Sequence, residues 1–442
     1  MYNILDYGAI GDGKANDAAA IQAAIDACSR SGGGVVLFPG GNVYRSGYVV
    51  LKSNVEVCLE TGAVWKASDS LADYYPLRNG GQIVAHESGL PSFLNSEYAG
   101  RPFHAFIYAY KEEDIRISGG GTIDANESMF YGDDSGYHIE GSYYPRVPLM
   151  LLEAVKHLTI TGVKMIGCAF WTVHLVGCED VLIDGIRLLN NLRMANSDGI
   201  DPDHCKNVRI SNCHIECGDD AIVLKNSGDY KQYGPCENIV ISNCTLISTS
   251  AAIKIGTEGE SDFRNILVTN CCISRSNRGI SIQIRDSGNV ENVIFSNIRI
   301  ETRRFSHEWW GRAEAICLTA IDRKPGVKAG RIRNICFHHI SCEGENGIFI
   351  MGGEENPVED ITFEQIDLIL DKTSKWEIDG YDIRPCQGDG TIATPISGVY
   401  AKNGRNIRFK DVTISKKEGI LPYYKEDYTL INVQDAEVSC GG

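Results

Sequence analysis

The sequence lacks any apolar stretch near the ~18 residues that a membrane-spanning helix requires. It also lacks an excess of basic residues, because 42 lysines and arginines face 58 aspartates and glutamates and the formal net charge is −16. Since binding to nucleic-acid phosphates requires a basic face, we expect neither nucleic acid nor a membrane as a partner. Binding of an acidic polymer would require a local basic patch on the surface of this acidic chain.

The first residues lack the charged segment and the apolar run of a secretory signal peptide. We therefore expect a cytoplasmic location, or secretion if a signal peptide has been removed. The 16 cysteines lie largely at repeated apolar positions, which favours reduced core residues in a reducing compartment. A disulfide among Cys213, Cys244 and Cys271 is the alternative.

A repeated template fills much of the chain: an asparagine, alternating apolar residues, and a second asparagine followed by cysteine or isoleucine. Clear copies begin at Asn207, Asn238, Asn265 and Asn292, and looser ones at Asp114, His157, Asp180, Asn334, Asp360 and Asn406. Copies from His157 to Asn292 start 23, 27, 31, 27 and 27 residues apart, and later spacings of 42, 26 and 46 indicate inserted loops. The period-two alternation within each copy predicts strands.

Repeats of this length with several short strands are typical of a parallel β-helix. We predict an all-β fold, a right-handed parallel β-helix with a short N-terminal capping helix, as one domain over residues 1–442. A leucine-rich-repeat horseshoe is the alternative, but isoleucine and valine rather than leucine dominate the inward positions. Stacked rungs would place Asn212, Asn243, Asn270 and Asn297 in one ladder, at a bend where asparagine tolerates the left-handed conformation.

The two ends of the chain are predicted to cap the repeats. Asn16 and Asp17 can cap a helix from about Ala18 to Cys28, and the first strand follows at Val35–Phe38. This gives an N-terminal cap of about 1–35. Residues from about Glu418 onward are polar and irregular, which indicates a C-terminal cap of about 418–442.

A second strand beside each template copy carries acidic residues. Aligning these strands by their small residue and isoleucine places Asp198, Asp220, Ala251 and Arg278 in one column, with Asp219 beside it. Three carboxylates so close raise the pKa of at least one. A glycosidase uses such a set, with one carboxylic acid protonated and another ionised. An acidic turn cluster or a calcium site is the alternative.

The segments Asn196-Ser-Asp198 and Gly218-Asp-Asp220 resemble the Asn-Thr-Asp and Gly/Gln-Asp-Asp motifs of the polygalacturonase family, glycoside hydrolase family 28. The opening from Asp6 to Asp17 resembles the wider pectin-active β-helix group, and the similarity of pattern extends from about residue 4 to 415. The resemblance implies inverting hydrolysis, with Asp219 as the general acid and Asp198 and Asp220 holding and deprotonating the water. It implies no metal and no cofactor.

Inversion places the acid and base carboxyl groups ~6.5–9.5 Å apart. Neighbouring residues on a strand point to opposite faces. Asp219 must therefore lie on a bend or bulge if both Asp219 and Asp220 are to reach the cleft.

The sequence departs from the family beside this centre. Ser250-Ala251-Ala252 stands where the family has Gly-His-Gly, and Ser281-Ile-Gln283 stands where it has Arg-Ile-Lys. Lys254 falls in the Ser281 column one rung earlier. We therefore expect altered sugar recognition, with a pectic oligosaccharide of galacturonide or rhamnogalacturonan type as the substrate and an exo mode of action.

Eight residues are predicted to bind substrate. They are His174, Arg193, Lys254, Glu258, Arg278, Gln283, Arg285 and Trp310. A buried ladder position is the alternative for His174, an aspartate ion pair for Arg193, and loop packing for Trp310. Exo action would require insertions that close one end of the cleft, and the candidates are Ser70–His104, Met129–Val147 and Phe305–Gly311.

Two other functions remain open at this point. A polysaccharide lyase would need calcium and an arginine or lysine base, and the motif shows no basic residue beside the aspartates. A non-catalytic carbohydrate-binding β-helix would bind without product, but it does not explain the acidic column. The sugar, the linkage and the oligomeric state are left open by the sequence.

Overall fold

The computed structural model describes residues 1–74, 84–85, 105–141, 143–144, 146–307 and 309–439. The chain divides into two compact units, Met1–Asp219 and Asp220–Gly442. In both units short strands pair in parallel with their counterparts on the next rung, and apolar side chains fill the interior. The prediction of an all-β, right-handed parallel β-helix is confirmed. The single domain of residues 1–442 stays a prediction.

The strands of the first unit are short, mostly of two to six residues. They are Tyr2–Asn3, Asp12–Asn16, Gly34–Phe38, Val43–Ser46, Val49–Val50, Val55–Leu59, Val64–Ala67, Val84–Ala85, Ile107–Tyr110, Arg116–Gly119, Thr122–Asp124, Tyr131–Asp134, Ile139–Gly141, Tyr143–Tyr144, Met150–Glu153, Lys156–Thr161, Lys164–Ile166, Val173–Val176, Glu179–Asp184, Arg187–Leu189, Ile200–Asp203, Lys206–Ser211 and His214–Cys217. Short 3₁₀ helices lie at Ile4–Tyr7, Leu71–Asp73 and Glu127–Phe130.

The predicted capping helix is present as Ala18–Arg30 and ends two residues later than expected. Its buried face carries Ala20, Ile21, Ala24, Ile25 and Cys28, the helical spacing that the sequence shows. This apolar face explains why the segment forms a helix against the first rungs.

Asp17 has a different role from the predicted side-chain cap. Its carboxylate accepts the backbone N–H groups of Ile10 at 2.7 Å and Gly11 at 3.1 Å, and Asn16 accepts the N–H of Ala18 instead. The prediction that the first strand begins at Val35 was wrong, because two short strands precede the helix. They form by pairing with later rungs, as in Tyr2 with Val36. A strand of two residues, such as Tyr2–Asn3, is too short to show alternating apolar residues in the sequence.

The strands of the second unit are longer, because several run through a bend. They are Ile222–Asn226, Cys236–Ser242, Thr245–Ser248, Ala251–Gly259, Phe263–Thr269, Cys272–Ser276, Arg278–Ile284, Val290–Thr302, Glu314–Ala320, Ile332–Gly344, Asn346–Gly352, Val358–Leu370, Gly380–Asp382, Thr391–Ala393, Val399–Lys416, Tyr428–Gln434 and Glu437–Ser439. Short 3₁₀ helices lie at Gly228–Tyr233 and Glu418–Tyr423.

The register of the second unit confirms the repeat spacing. Ile239 pairs with Ile266, and Ile266 with Val293, so each step is 27 residues. Inward phenylalanines stack from rung to rung, with ring centroids 5.0 Å apart for Phe295 and Phe337. Apolar stacking of this kind stabilises each rung against its neighbours.

The asparagines of the predicted ladder have the expected left-handed backbone. Asn212, Asn243, Asn270 and Asn297 all have φ of 57°, in the left-handed region. In the second unit the Asn297 amide donates to Asn270 Oδ1 at 2.5 Å. The fifteen cysteines of the described residues are free thiols, of which eleven are buried and Cys272 is exposed. Their reduced state stays a prediction.

The C-terminal cap of about 418–442 stays a prediction, but the expectation that these residues are irregular is wrong for the described part. After the 3₁₀ helix Glu418–Tyr423, the strands Tyr428–Gln434 and Glu437–Ser439 continue the parallel pairing with Val399–Lys416. Leu430 and Val438 on these last strands are exposed. The alternation of buried apolar and exposed polar residues that marks the inner rungs is therefore missing here. Within the described ranges, no helix combines the length and apolar character needed to cross a membrane.

Candidate active site

Asp198 and Asp219 meet in the first unit. Asp198 precedes the strand Ile200–Asp203, Asp219 follows the strand His214–Cys217, and both are buried. One carboxylate oxygen of Asp198 lies within 4.8 Å of one of Asp219. Gly218 and Asp219 form a bend, so the predicted irregularity is confirmed.

Gly218 allows this close approach. A Cβ atom there would stand 2.3 Å from Met194 O and 2.9 Å from Ser197 Oγ, so a larger residue would push the bend outward. The nearest oxygens of Asp198 and Asp219 lie within 4.8 Å of each other, whereas ~6.5–9.5 Å is expected between the acid and base carboxyl groups as a whole.

Asn196 holds Asp219 in place. Its backbone N–H and its side-chain amide both donate to Asp219 Oδ2, at 3.2 and 3.4 Å. Arg146 in turn donates to Asn196 Oδ1 at 2.6 Å and to Ala169 O at 3.0 Å. Arg146 is buried and lies 50 residues before Asn196 in the chain. No motif surrounds it, so sequence reasoning missed this contact.

Asp220 follows Asp219 directly in the chain, and its side chain is held within the second unit. Its Oδ1 accepts from Ser250 Oγ at 2.8 Å and from the Ala251 N–H at 3.1 Å. Its Oδ2 accepts from Lys254 Nζ at 2.6 Å. The expectation that no basic residue stands beside the aspartates is therefore wrong, because Lys254 reaches back from the next rung.

The register of the second unit agrees with the predicted columns. Ala251 pairs with Arg278, and Lys254 pairs with Ser281. Ser250 and Ala251, at the place of the family's Gly-His-Gly motif, contact Asp220 rather than an open cleft.

Glu258 lies among cations farther along the Lys254 strand. Its Oε2 is 3.3 Å from Lys225 Nζ. Burial by itself would raise the pKa of Glu258, but Lys225, Arg323 and Lys254 outweigh it and hold the pKa well below its usual range. Arg323 also forms a two-contact ion pair with Asp286, at 2.8 and 2.7 Å.

Arg278 and Arg285 lie under a covering segment that we call the strap, residues 379–386. Arg278 Nη2 donates to Asp382 O at 2.8 Å, and its Nε lies 3.0 Å from Glu314 Oε2. Arg285 donates to Ile383 O and Pro385 O, each at 2.8 Å, and burial lowers its pKa to about 10. Both predicted substrate-binding arginines thus hold the strap.

Gln283 is fully buried under the same strap. Its Oε1 accepts from Arg278 Nη1 at 3.4 Å. Among the described residues, Gln283 Nε2 and the hydroxyls of Ser281 and Thr319 have no hydrogen-bond partner. Gln283 and Thr319 pair in register on neighbouring rungs.

The other predicted substrate-binding residues are dispersed. His174 is fully buried, and its Nε2 lies 3.3 Å from Asp203 Oδ2. Arg193 Nη1 lies 2.6 Å from Asp134 Oδ1, at the hairpin within the predicted insertion Met129–Val147. Trp310 is half-buried, and its backbone carbonyl accepts from Asn277. The substrate-binding roles of all eight residues stay predictions.

The predicted insertions differ in what they cover. The loop Phe305–Gly311 contacts the strap, because Arg384 Nη2 donates to Trp309 O at 3.1 Å and the Gly311 N–H donates to Asp382 Oδ2 at 2.7 Å. Most of Ser70–His104 lies outside the described residues. The strap itself was not predicted, since no repeat or motif marks residues 379–386.

Comparison with known proteins matches the chain to a family by sequence and to solved structures by fold. The family profile of glycosyl hydrolases family 28 matches residues 76–386, and a profile described as rhamnogalacturonase A/epimerase, pectate lyase-like, matches residues 1–71. A probable polygalacturonase from Vitis vinifera is 30% identical over 266 residues, 58% of this chain and 51% of that protein. The chain thus spans about half the length of this curated relative.

Two solved structures share the fold. An exopolygalacturonase from Thermotoga maritima superposes with a TM-score of 0.73 at 22% identity, over 93% of this chain and 91% of that one. A family 28 exopolygalacturonase from Yersinia enterocolitica gives 0.73 at 18% identity, over 100% of this chain and 78% of that one. Because the family profile covers most of the chain, including all three aspartates, the protein belongs to the glycosyl hydrolases of family 28.

Proposed function

We propose that the protein is an inverting glycoside hydrolase that cleaves α-glycosidic bonds in pectic oligosaccharides from a chain end. Asp219 is the general acid, and Asp198 and Asp220 hold and deprotonate the attacking water. The approach of the buried Asp198 and Asp219 carboxylates to within 4.8 Å supports a glycoside hydrolase, and the inverting outcome rests on the family match. Asp220, the next residue in the chain after Asp219, supplies the third carboxylate.

The hydrogen bonds support this division of roles. Both oxygens of Asp220 accept from donors, namely Ser250, Ala251 and Lys254. A proton on Asp220 would therefore face another donor, which suits a water-holding carboxylate better than a general acid. On Asp219 both Asn196 donors reach the same oxygen, Oδ2, and fix the orientation of the proposed acid.

The strap supports action from a chain end. Lys254 lies one rung beyond Asp220, and Ser281 lies one rung beyond Lys254. Ser281 and Gln283 are fully buried under the strap. Since rungs stack about 4.8 Å apart, only about 10 Å separates the rung of Asp220 from the covered rung. We propose that this short distance to the covered rung limits the bound substrate to a terminal segment.

The sugar specificity is proposed to be of galacturonide or rhamnogalacturonan type. Ser281 and Gln283 are neutral, and Arg278 and Lys254 bind internal carboxylates. These contacts favour recognition through hydroxyl groups on this side of the centre. The cytoplasmic location stays a prediction.

Product analysis tests the proposal. The wild type and Asp219→Asn are incubated with reduced pectic oligosaccharides of galacturonan and rhamnogalacturonan type, and products are followed by mass. We expect short products of one size from the earliest times and none with Asp219→Asn, while the exposed Asp435→Asn control retains activity. Fragments from the middle of the chain would contradict exo action, and intact substrate with the wild type would contradict hydrolysis.

A lyase is the second candidate, because Lys254 stands beside Asp220 as a lyase base would. The ion pair at 2.6 Å argues against that role, because it directs Lys254 Nζ at Asp220 and not at a substrate. A product with an unsaturated ring would absorb in the near ultraviolet and lack the mass of added water. Detection of this unsaturated product would show that the protein is a lyase.

A further inference from the structure

Asp220 lies in a pocket of donors that come from a single stretch of the next rung. Ser250 Oγ, the Ala251 N–H and Lys254 Nζ all point at its two oxygens, at 2.8, 3.1 and 2.6 Å. The Asp220 side chain is 1% exposed and that of Lys254 is 9% exposed. This contact is therefore shielded from solvent, where an ion pair fixes geometry more strongly than at the surface.

Lys254 reaches Asp220 by leaning back along its strand. Its register partner on the preceding rung is Val223, three residues after Asp220. The lysine stem therefore covers the start of the preceding strand, and its ammonium is directed at the carboxylate rather than outward.

We infer that Lys254 is a positioning residue for Asp220 and not a group that binds the substrate. The inference rests on the proposed function, because it assigns Asp220 to holding the attacking water. Lys254 occupies Oδ2 while Ser250 and Ala251 occupy Oδ1, so rotation of the carboxylate would break at least one contact. Preorganisation of this kind acts on the chemical step, because the water-holding group needs no rearrangement when the reaction begins.

Other charged groups around Lys254 are already engaged with one another. Glu258, on the same strand, lies 3.3 Å from Lys225, which belongs to the preceding rung. Arg323, from a later loop, contacts Asp286. Asp219 precedes Asp220 in the chain. Asp220 is the carboxylate in direct contact with Lys254, and the remaining charges act on this pair through space.

The test compares Lys254→Met, Lys254→Arg, Asp220→Asn and the double variant Lys254→Met/Asp220→Asn on the pectic oligosaccharide that the wild type cleaves. The matched control is Lys372→Met, which removes another poorly exposed lysine, 3.3 Å from Glu345. We expect Lys254→Met to lower kcat by about 100-fold with KM within about twofold of the wild type. Lys254→Arg restores part of kcat, and Lys372→Met leaves kcat unchanged.

The double variant and the split between kcat and KM separate positioning from a structural role. If Lys254 acts through Asp220, adding Lys254→Met to Asp220→Asn lowers kcat little further, so the two effects are far from additive. If Lys254→Met does not fold, the kcat and KM of Lys254→Arg decide in the same way.

A raised KM with unchanged kcat in Lys254→Met would overturn the inference and make Lys254 a substrate-binding residue. Additive effects in the double variant would overturn it as well. These outcomes differ from failure of the proposed function, in which the wild type itself releases no product or Asp219→Asn retains activity.

Discussion

Asn196 donates two hydrogen bonds to a single oxygen of Asp219, from its backbone N–H at 3.2 Å and its side-chain amide at 3.4 Å. The Asn196 side chain is oriented in turn by Arg146, which donates to its amide oxygen at 2.6 Å. The left-handed backbone of Asn196, with φ of 57°, allows both donors to face Asp219. The orientation of the proposed acid therefore depends on a buried arginine 50 residues earlier in the chain.

Arg146→Met is expected to impair catalysis without removing any proposed catalytic group. The Asn196 amide oxygen loses its donor and the Asn196 side chain can rotate away from Asp219. We expect kcat to fall by at least about tenfold and stability to fall by about 1–3 kcal/mol, the cost of leaving a buried acceptor unsatisfied. Steady-state kinetics and chemical unfolding measure both. The exposed Arg209→Met serves as control. Wild-type kcat in folded Arg146→Met would contradict this account.

Asp382→Ala is expected to open the strap. Asp382 Oδ2 accepts from Gly311 N–H and Arg384 Nη2, each at 2.7 Å, and its backbone carbonyl accepts from Arg278. Removing this buried carboxylate breaks the ion pair with Arg384, at a cost of about 3–5 kcal/mol, and leaves Arg278 with Glu314. We expect a lower Tm and early products of mixed length. If early products keep one size in the folded variant, the strap does not set the exo mode.

Stability in acid should depend on Glu258. Burial tends to raise its pKa, but Lys225, Arg323 and Lys254 hold it below the ordinary value of 4.5. Since the folded-state pKa is lowered, the stabilisation is present above that ordinary value and is lost as the pH falls towards the folded value. Wild type should therefore exceed Glu258→Gln in unfolding free energy near pH 7, and by less near pH 3. Urea unfolding at both pH values checks this, and a difference that grows in acid contradicts it.

Thiol reactivity should be concentrated at one position among the described cysteines. Cys272 is exposed, whereas Cys168 and Cys342 are buried, and burial raises the pKa of each of those two thiols to about 12. Because the thiolate is the reactive form, brief alkylation of the native protein should label Cys272 first. Peptide mapping by mass spectrometry identifies the site. Equal early labelling of Cys168 would contradict the core seen here.

The repeats made much of the fold predictable. A ladder of left-handed asparagines and a column of strand positions both follow from a period, and the register confirms Ala251 opposite Arg278. The bend at Asp219 was predictable because two neighbouring carboxylates cannot point to one side of a regular strand.

The contacts that cross between distant segments were not predictable. Arg278 contacts Asp382, which lies 104 residues later in the chain. No sequence pattern in residues 379–386 predicts the strap. The position of a residue in a column of strand positions also does not determine the direction of its side chain. Lys254 was therefore predicted to face the substrate, whereas its ammonium contacts Asp220.

The stereochemistry of the first product tests the central claim most directly. The nearest oxygens of Asp198 and Asp219 lie within 4.8 Å, and retaining enzymes typically have carboxyl groups about 5–5.5 Å apart. Proton NMR in the first minutes of hydrolysis distinguishes the two mechanisms before the released sugar mutarotates. Inverting cleavage of an α-linkage by water held on Asp198 and Asp220 predicts that the β-anomer appears first. Initial release of the α-anomer would contradict this mechanism and show retention.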